Sequence, residues 1–405
     1  MANALLTPTI IAKEALRVLE NELVVGDLVY RDFESNFGET KIGTTLTIRK
    51  PVRWTTRTGA TAAIQDADEG STTVVVDTQV GVDMSFRSDD LTLTIERFSE
   101  RYVRPAMIQI ANKVDVDLLA LYKKVWNYVG ANPPVTLNTL AKFFKGPERL
   151  DNISVPLGMR YACLTPADYY AMQAVLTTSI FSTGITEGAI KKARSIPNLA
   201  GVDVYQAQNI RTHRVGTYTG TPLTNGAAQQ VTYASSKTTN TQTLITDGWT
   251  STSLKAGDVF TIADVFEVNP VTKDALTTLK QFTVVNDISD TAGAITLTMA
   301  PAAVLTGAYQ NVSAAIGDNK TIVVWGTSAT DYSQNLMFHR DAFALVTVPM
   351  EMPVGGVRGG RQSYKGLNVR YLEQYDITND RNIYRFDVLY GVKAVYPDLA
   401  IRIAG

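Results

Sequence analysis

Apolar residues recur at helical steps in two stretches of the chain. Val103, Met107, Ile110, Val114, Leu118, Leu121 and Val125 are separated by 4, 3, 4, 4, 3 and 4 residues, which puts all seven on one helix face. Pro105 sets the regular start near Arg104, and Gly130 with Pro133 and Pro134 closes the element. A helix over 104–128 is therefore expected, about 36 Å long. Earlier in the chain Thr7 is a candidate N-cap and Pro8 occupies the first helical position. Ile11, Ala15, Val18, Leu19 and Leu23 follow at three- and four-residue steps, and the pattern predicts a helix from Pro8 to about Val25, stopped by Gly26. Its other face carries Lys13, Glu14, Arg17, Glu20 and Glu22, and Lys13 to Glu34 holds six acids against three bases. This acidic amphipathic arm reads either as a surface helix on its own domain or as a helix that packs on a partner.

Period-two patterns mark the strands. Thr44 to Pro51 and Thr72 to Thr78 alternate, and Trp54 to Gly70 between them is rich in Thr, Ala, Gly and acids. Two strands joined by so long a connection predict a projecting hairpin, and a loop of that length is usually functional. Asp66, Asp68 and Glu69 near its tip lack the further ligands of a calcium loop and read as solvated acids. Residues 135–214 read as mixed α and β: Arg160 to Leu164 is a strand, and Thr165-Pro166-Ala167-Asp168 opens a helix. Strands are also expected at Asp258 to Val265, Gln281 to Val285, Ala294 to Met299, Ile322 to Trp325, Phe343 to Val348, Gly366 to Tyr371 and Ile383 to Leu389. The glycine pairs at 355–356 and 359–360 read as a flexible surface turn.

Composition sharpens one boundary. Eleven threonines fall within the 34 residues from Thr217 to Thr250, and only 13 charged residues lie between Gly216 and Thr321. This block reads as a small all-β domain inserted into an α+β chain. The whole chain has 405 residues and a formal charge of −1, from 38 Lys and Arg against 39 Asp and Glu, which argues against a dedicated nucleic-acid binder. The N-terminus does not read as a signal peptide, and no apolar run is long enough to span a membrane.

Candidate chemistry is sparse. One cysteine and two histidines leave no material for an internal disulfide and little for a zinc site. Cys163 reads as a small buried hydrophobe, and His213 and His339 stand beside arginines, which disfavours protonated imidazole. No catalytic motif is present, and neither an enzyme nor a cofactor is expected.

The order of parts resembles the HK97-like fold of tailed-phage major capsid proteins. Leu254 to Ile262, Val268 to Lys273, Gln281 to Val285 and Ile295 to Leu297 resemble the inserted domain of the P22 coat protein family. Phe338 to Leu345 and Asp387 to Lys393 are similar to its closing segment. The resemblance implies an N-terminal arm (1–40), an E-loop with flanking strands (41–95), and a spine helix of the peripheral domain (96–134). It further implies an axial domain (135–215), an inserted β domain (216–321), and C-terminal strands completing the axial and peripheral domains (322–405). It implies a shell of hexamers and pentamers around double-stranded DNA, a portal protein, and no membrane. Only about 40 residues precede the E-loop, so a separate scaffolding protein is implied, with Glu14, Glu20 and Glu22 as its candidate contact. Trp54, Arg57, Asp66, Asp68 and Glu69 are the candidate intersubunit E-loop residues. P22-type insertions carry a charged loop that pairs with a neighbouring capsomer, but Gln229 to Thr246 holds only Lys237 as a charge, so something else must bind adjacent capsomers. An encapsulin-like compartment and a β-rich surface binding protein are the alternatives.

Overall fold

The computed structural model of the chain describes residues 8–32, 45–62, 64–87, 99–179, 195–290, 293–353, 355, 357–364 and 367–405. Thr7 as a helix cap, Glu34, and Gly356 of the first glycine pair lie outside them. The chain divides into two units, each with its own interior: Met1–Leu46, Thr73–Leu118 and Phe343–Lys393 form one, and Thr47–Thr72, Leu119–Ala342 and Ala394–Gly405 the other.

In the first unit the arm helix spans Pro8–Glu22, and Ile11, Ala15, Val18, Leu19 and Leu23 are all buried. It packs on strands Arg358–Tyr364 and Leu367–Asp376. Those strands belong to a five-stranded antiparallel sheet in which Arg381–Ala394 is the common neighbour of Leu367–Asp376 and Thr78–Arg87. Thr78–Arg87 pairs over its whole length, from Thr78 opposite Tyr390 to Arg87 opposite Arg381. Gly359 and Gly360 lie in this sheet opposite Leu372 and Tyr371, not in a flexible turn, because Leu367–Asp376 offers their backbone a complete ladder.

The long helix is shorter than its apolar stripe. A π turn at Ser99–Val103 leads into an α-helix at Arg104–Leu119, and a 3-10 turn then covers Ala120–Lys124. At about 1.5 Å per residue its 16 residues make roughly 24 Å, not 36. The end is tightened by the Val125 N–H, which donates to the Tyr122 carbonyl 2.9 Å away.

The second unit contains two large sheets and a two-stranded one formed by Thr212–Arg214 and Asp331–Ser333. A six-stranded mixed sheet runs in the order Tyr128–Val129, Ala400–Ile403, Asn335–His339, Arg160–Leu164, Val202–Gln206, Ser195–Leu199. The parallel neighbours Arg160–Leu164 and Val202–Gln206 are joined through helix Pro166–Ser179, and Phe143, Leu164, Tyr169, Met172, Met337 and Ile401 fill the core beside them. The Thr165 hydroxyl donates to Asp168 at 2.8 Å and accepts from its N–H at 3.3 Å, so the expected cap is formed. Cys163 is fully buried in this sheet.

The second sheet has seven strands, all between Thr217 and Val324, with Trp249, Phe260, Phe282, Leu297 and Ile322 in its core. Its strands Val259–Val268, Ala275–Val284 and Ile295–Ala300 overlap the expected ones. One boundary moves: Ile322–Val324, expected among the C-terminal strands, pairs with Phe260–Ile262 and closes this sheet. Burial of Ile322 and Val324 on its core face holds them there.

Candidate assembly surfaces

The arm's acids are only partly described. Glu14 is ion-paired to Arg17 at 2.6 Å on the helix face opposite the buried stripe. Glu20 and Glu22 lie in the same helix, and their side chains fall outside the described residues. Beyond the helix, Asp115 fixes the turn that follows: its two carboxylate oxygens accept the N–H groups of Val24 and Gly26, each at 3.0 Å. Burial pushes the Asp115 carboxyl up to about 6, against the backbone donors that favour its charged form.

The loop between strands Thr45–Arg49 and Ser71–Val75 is tied internally and onto Lys237 and Tyr309 of the same unit. Within the loop the Thr55 N–H donates to the Gln65 side-chain carbonyl at 2.9 Å, and the Gln65 amide returns a bond to the Thr55 carbonyl at 2.7 Å. Arg57 donates to the Gly59 carbonyl. Asp68, expected as a solvated acid, instead pairs with Lys237 at 2.6 Å, since the loop folds back over residues 233–237. Glu69 lies 3.5 Å from Arg49, both exposed, and Asp66 is exposed. The Tyr309 hydroxyl accepts from the Arg53 N–H at 3.1 Å and donates to the Asp68 carbonyl at 3.2 Å. Trp54 remains 57 % exposed and Ile64 94 %. A cleft of about 760 Å³ opens here, lined by Arg53, Trp54, Trp126, Lys273, Tyr309 and Pro397 among others. Tyr309 and Lys237 were not legible as partners of this loop, because their separations from Asp68 are 241 and 169 residues.

Two buried polar clusters fix the base of the seven-stranded sheet. His213 places Nε2 2.8 Å from Asp258 and Nδ1 3.0 Å from the Tyr122 hydroxyl. Donation from Nε2 to Asp258, with the Tyr122 hydroxyl bonded at Nδ1, satisfies both ring nitrogens. Asp258 also accepts the Gly216 N–H at 3.1 Å and the Lys255 N–H at 2.7 Å. Arg402 donates to the Gly257 carbonyl at 2.7 Å and lies over the Tyr122 ring. Of the charged groups near His213, the Asp258 carboxylate makes the direct contact. His339 does follow the expected direction: burial lowers its pKa, and Arg160 and Arg340 add to that against Asp341. In the second cluster Glu267 sits between Lys280, at 2.8 Å, and Arg149, all three buried. Burial pushes the Glu267 carboxyl up, but the two cations outweigh it and hold it below the usual range. The second cluster ties helix Leu140–Asn152 to strands Val259–Val268 and Ala275–Val284.

Comparison with known proteins bears on what these surfaces are for. Among curated proteins none matches the chain. Solved structures similar to it include those titled Mycobacterium phage Che8, at 12% identity and TM-score 0.49 over 94% of this chain and 90% of that one. The capsid of cyanophage P-SCSP1u follows at 11% identity and TM-score 0.46, covering 94% and 88%. The family model for the P22 coat protein (gene protein 5) matches residues 1–405. With the match extending over every element described above, the chain belongs to the P22 coat protein family and is a bacteriophage major capsid protein.

Proposed function

We propose that many copies of this chain close into hexamers and pentamers of an icosahedral shell around double-stranded DNA, assembled in the host cytoplasm on a separate scaffolding protein and around a portal protein. In this reading residues 1–40 are the arm, 41–95 the E-loop with its flanking strands, and 96–134 the spine helix. Residues 135–215 build the axial domain, 216–321 extended by Ile322–Val324 the inserted β domain, and 325–405 the closing strands. The observation that carries it is the set of large apolar side chains on loop tips: Ile64, Leu157 at 83 % exposure, Val271 and Ile377 at 84 %. Side chains of that size at isolated tips gain most by burial against another copy, at about 25 cal/mol per Å². The near-zero net charge lets copies crowd without large repulsion, and suits an inner surface that holds DNA weakly and without sequence preference.

The arm's acidic face supports a basic scaffold segment as the partner. Changing Glu14, Glu20 and Glu22 together to lysine should abolish co-sedimentation with the scaffold while leaving the apolar stripe buried. Undiminished co-assembly would remove the arm from that role.

A further inference from the structure

We propose that Tyr233, Lys237 and Tyr309 form a docking surface for this chain's own Lys50–Gly70 loop, which is thereby ordered in the free subunit before any neighbour arrives. The inference rests on the capsid reading only for the loop's later use. Four observations converge on it.

Tyr233 and Tyr309 stack face to face, with ring centroids 3.4 Å apart and planes within 3°. The Tyr309 hydroxyl is thereby fixed at the point where it meets both sides of the loop, the Arg53 N–H on one side and the Asp68 carbonyl on the other. The Arg53 guanidinium lies over the same ring, 5.9 Å from its centroid. Lys237 closes the contact through Asp68, and Gly70 lies so near it that an added Cβ would come within 2.7 Å of the Tyr233 hydroxyl and 2.8 Å of the Lys237 carbonyl. A loop that only drifted over this surface would not need glycine at its closest approach.

The consequence concerns Lys237. Between Gln229 and Thr246 it is the only charged residue, and its ammonium is engaged by the loop of its own chain. This segment therefore acts inside the subunit, as the seat of the loop. The loop in turn keeps Ile64 turned outward for a second copy.

Hydrogen exchange on the full chain, held below its assembly concentration, tests this. The Arg53 and Lys50 amides should be protected in the free subunit, since they donate to Tyr309 and to the Gly70 carbonyl. Tyr309→Phe and Lys237→Met should each speed exchange of the Arg53 amide about fivefold, the loss of one hydrogen bond or exposed ion pair, with the seven-stranded sheet unchanged. A disulfide between D68C and K237C should form within single chains. Loop amides that exchange like unstructured peptide, rates unmoved by both substitutions, or a disulfide found only between chains would overturn the proposal. These readings come from unassembled protein, so they fail or succeed independently of shell formation.

Discussion

Asp387 shows how a single buried acid organises three strands. It is wholly buried and accepts from Arg370 at 2.6 Å, Arg385 at 2.8 Å and Gln79 at 3.2 Å. Burial alone would raise its pKa, but the hydrogen bonds from Arg370, Arg385 and Gln79 hold it below the ordinary carboxylate value. Gly81 lies against this site, where a Cβ would come within 2.6 Å of both the Asp387 carboxylate and the Phe386 carbonyl. Gly81→Ala should therefore cost about 1–3 kcal/mol, read as a lower urea midpoint with an unchanged slope. Asp115 behaves in the opposite sense. Its folded pKa of about 6 lies above the ordinary 3.8, so its contribution is fully present below about pH 4 and is lost as pH rises through 6. The swing is about 3 kcal/mol, at 1.36 kcal/mol per pKa unit. Asp115→Asn should flatten stability between pH 4 and 6, measured by urea unfolding at each pH. An unchanged slope there would remove Asp115 as its source. Neither acid was legible in the sequence, because what distinguishes them from the other acids is burial and donors brought from distant strands.

The elements were read better than the residues, and where the reading failed the period explains it. The apolar stripe 103–118 is buried as expected, but through the turn that follows it Leu119, Tyr122 and Val125 are buried at a step of three. That is the 3-10 repeat, and it turns Leu121 partly outward and Tyr122 in toward His213. Strand Thr78–Arg87 went unread although Val80, Val82, Met84 and Phe86 alternate along it, because Gly81 and Asp83 interrupt the composition. Between elements the largest single liability is Glu267, which bridges helix Leu140–Asn152 to the seven-stranded sheet through Arg149 and Lys280. Glu267→Gln leaves two buried cations without a counter-ion and should destabilise by about 3–5 kcal/mol in thermal or urea unfolding. A loss under about 1 kcal/mol would mean that water already reaches the cluster.

At the scale of the whole molecule, the family was legible in the sequence because the threonine-rich stretch from Thr217 to Thr250 and the strand motifs after it are local signals. The intrachain seat of the loop was not, since it joins Asp68 to Lys237 and Tyr309 across the chain. Ile64 and Ile377 stand almost fully exposed, where the proposed assembly would bury them. Ile64→Glu should leave urea unfolding of the free chain within about 0.5 kcal/mol of the parent while suppressing shell formation. Electron microscopy of the purified chain, alone and with a candidate scaffolding protein, measures that outcome most directly. Closed icosahedral shells, or rings of capsomer size, are the predicted result. A strictly monomeric particle at high concentration, with scaffold present, would contradict it.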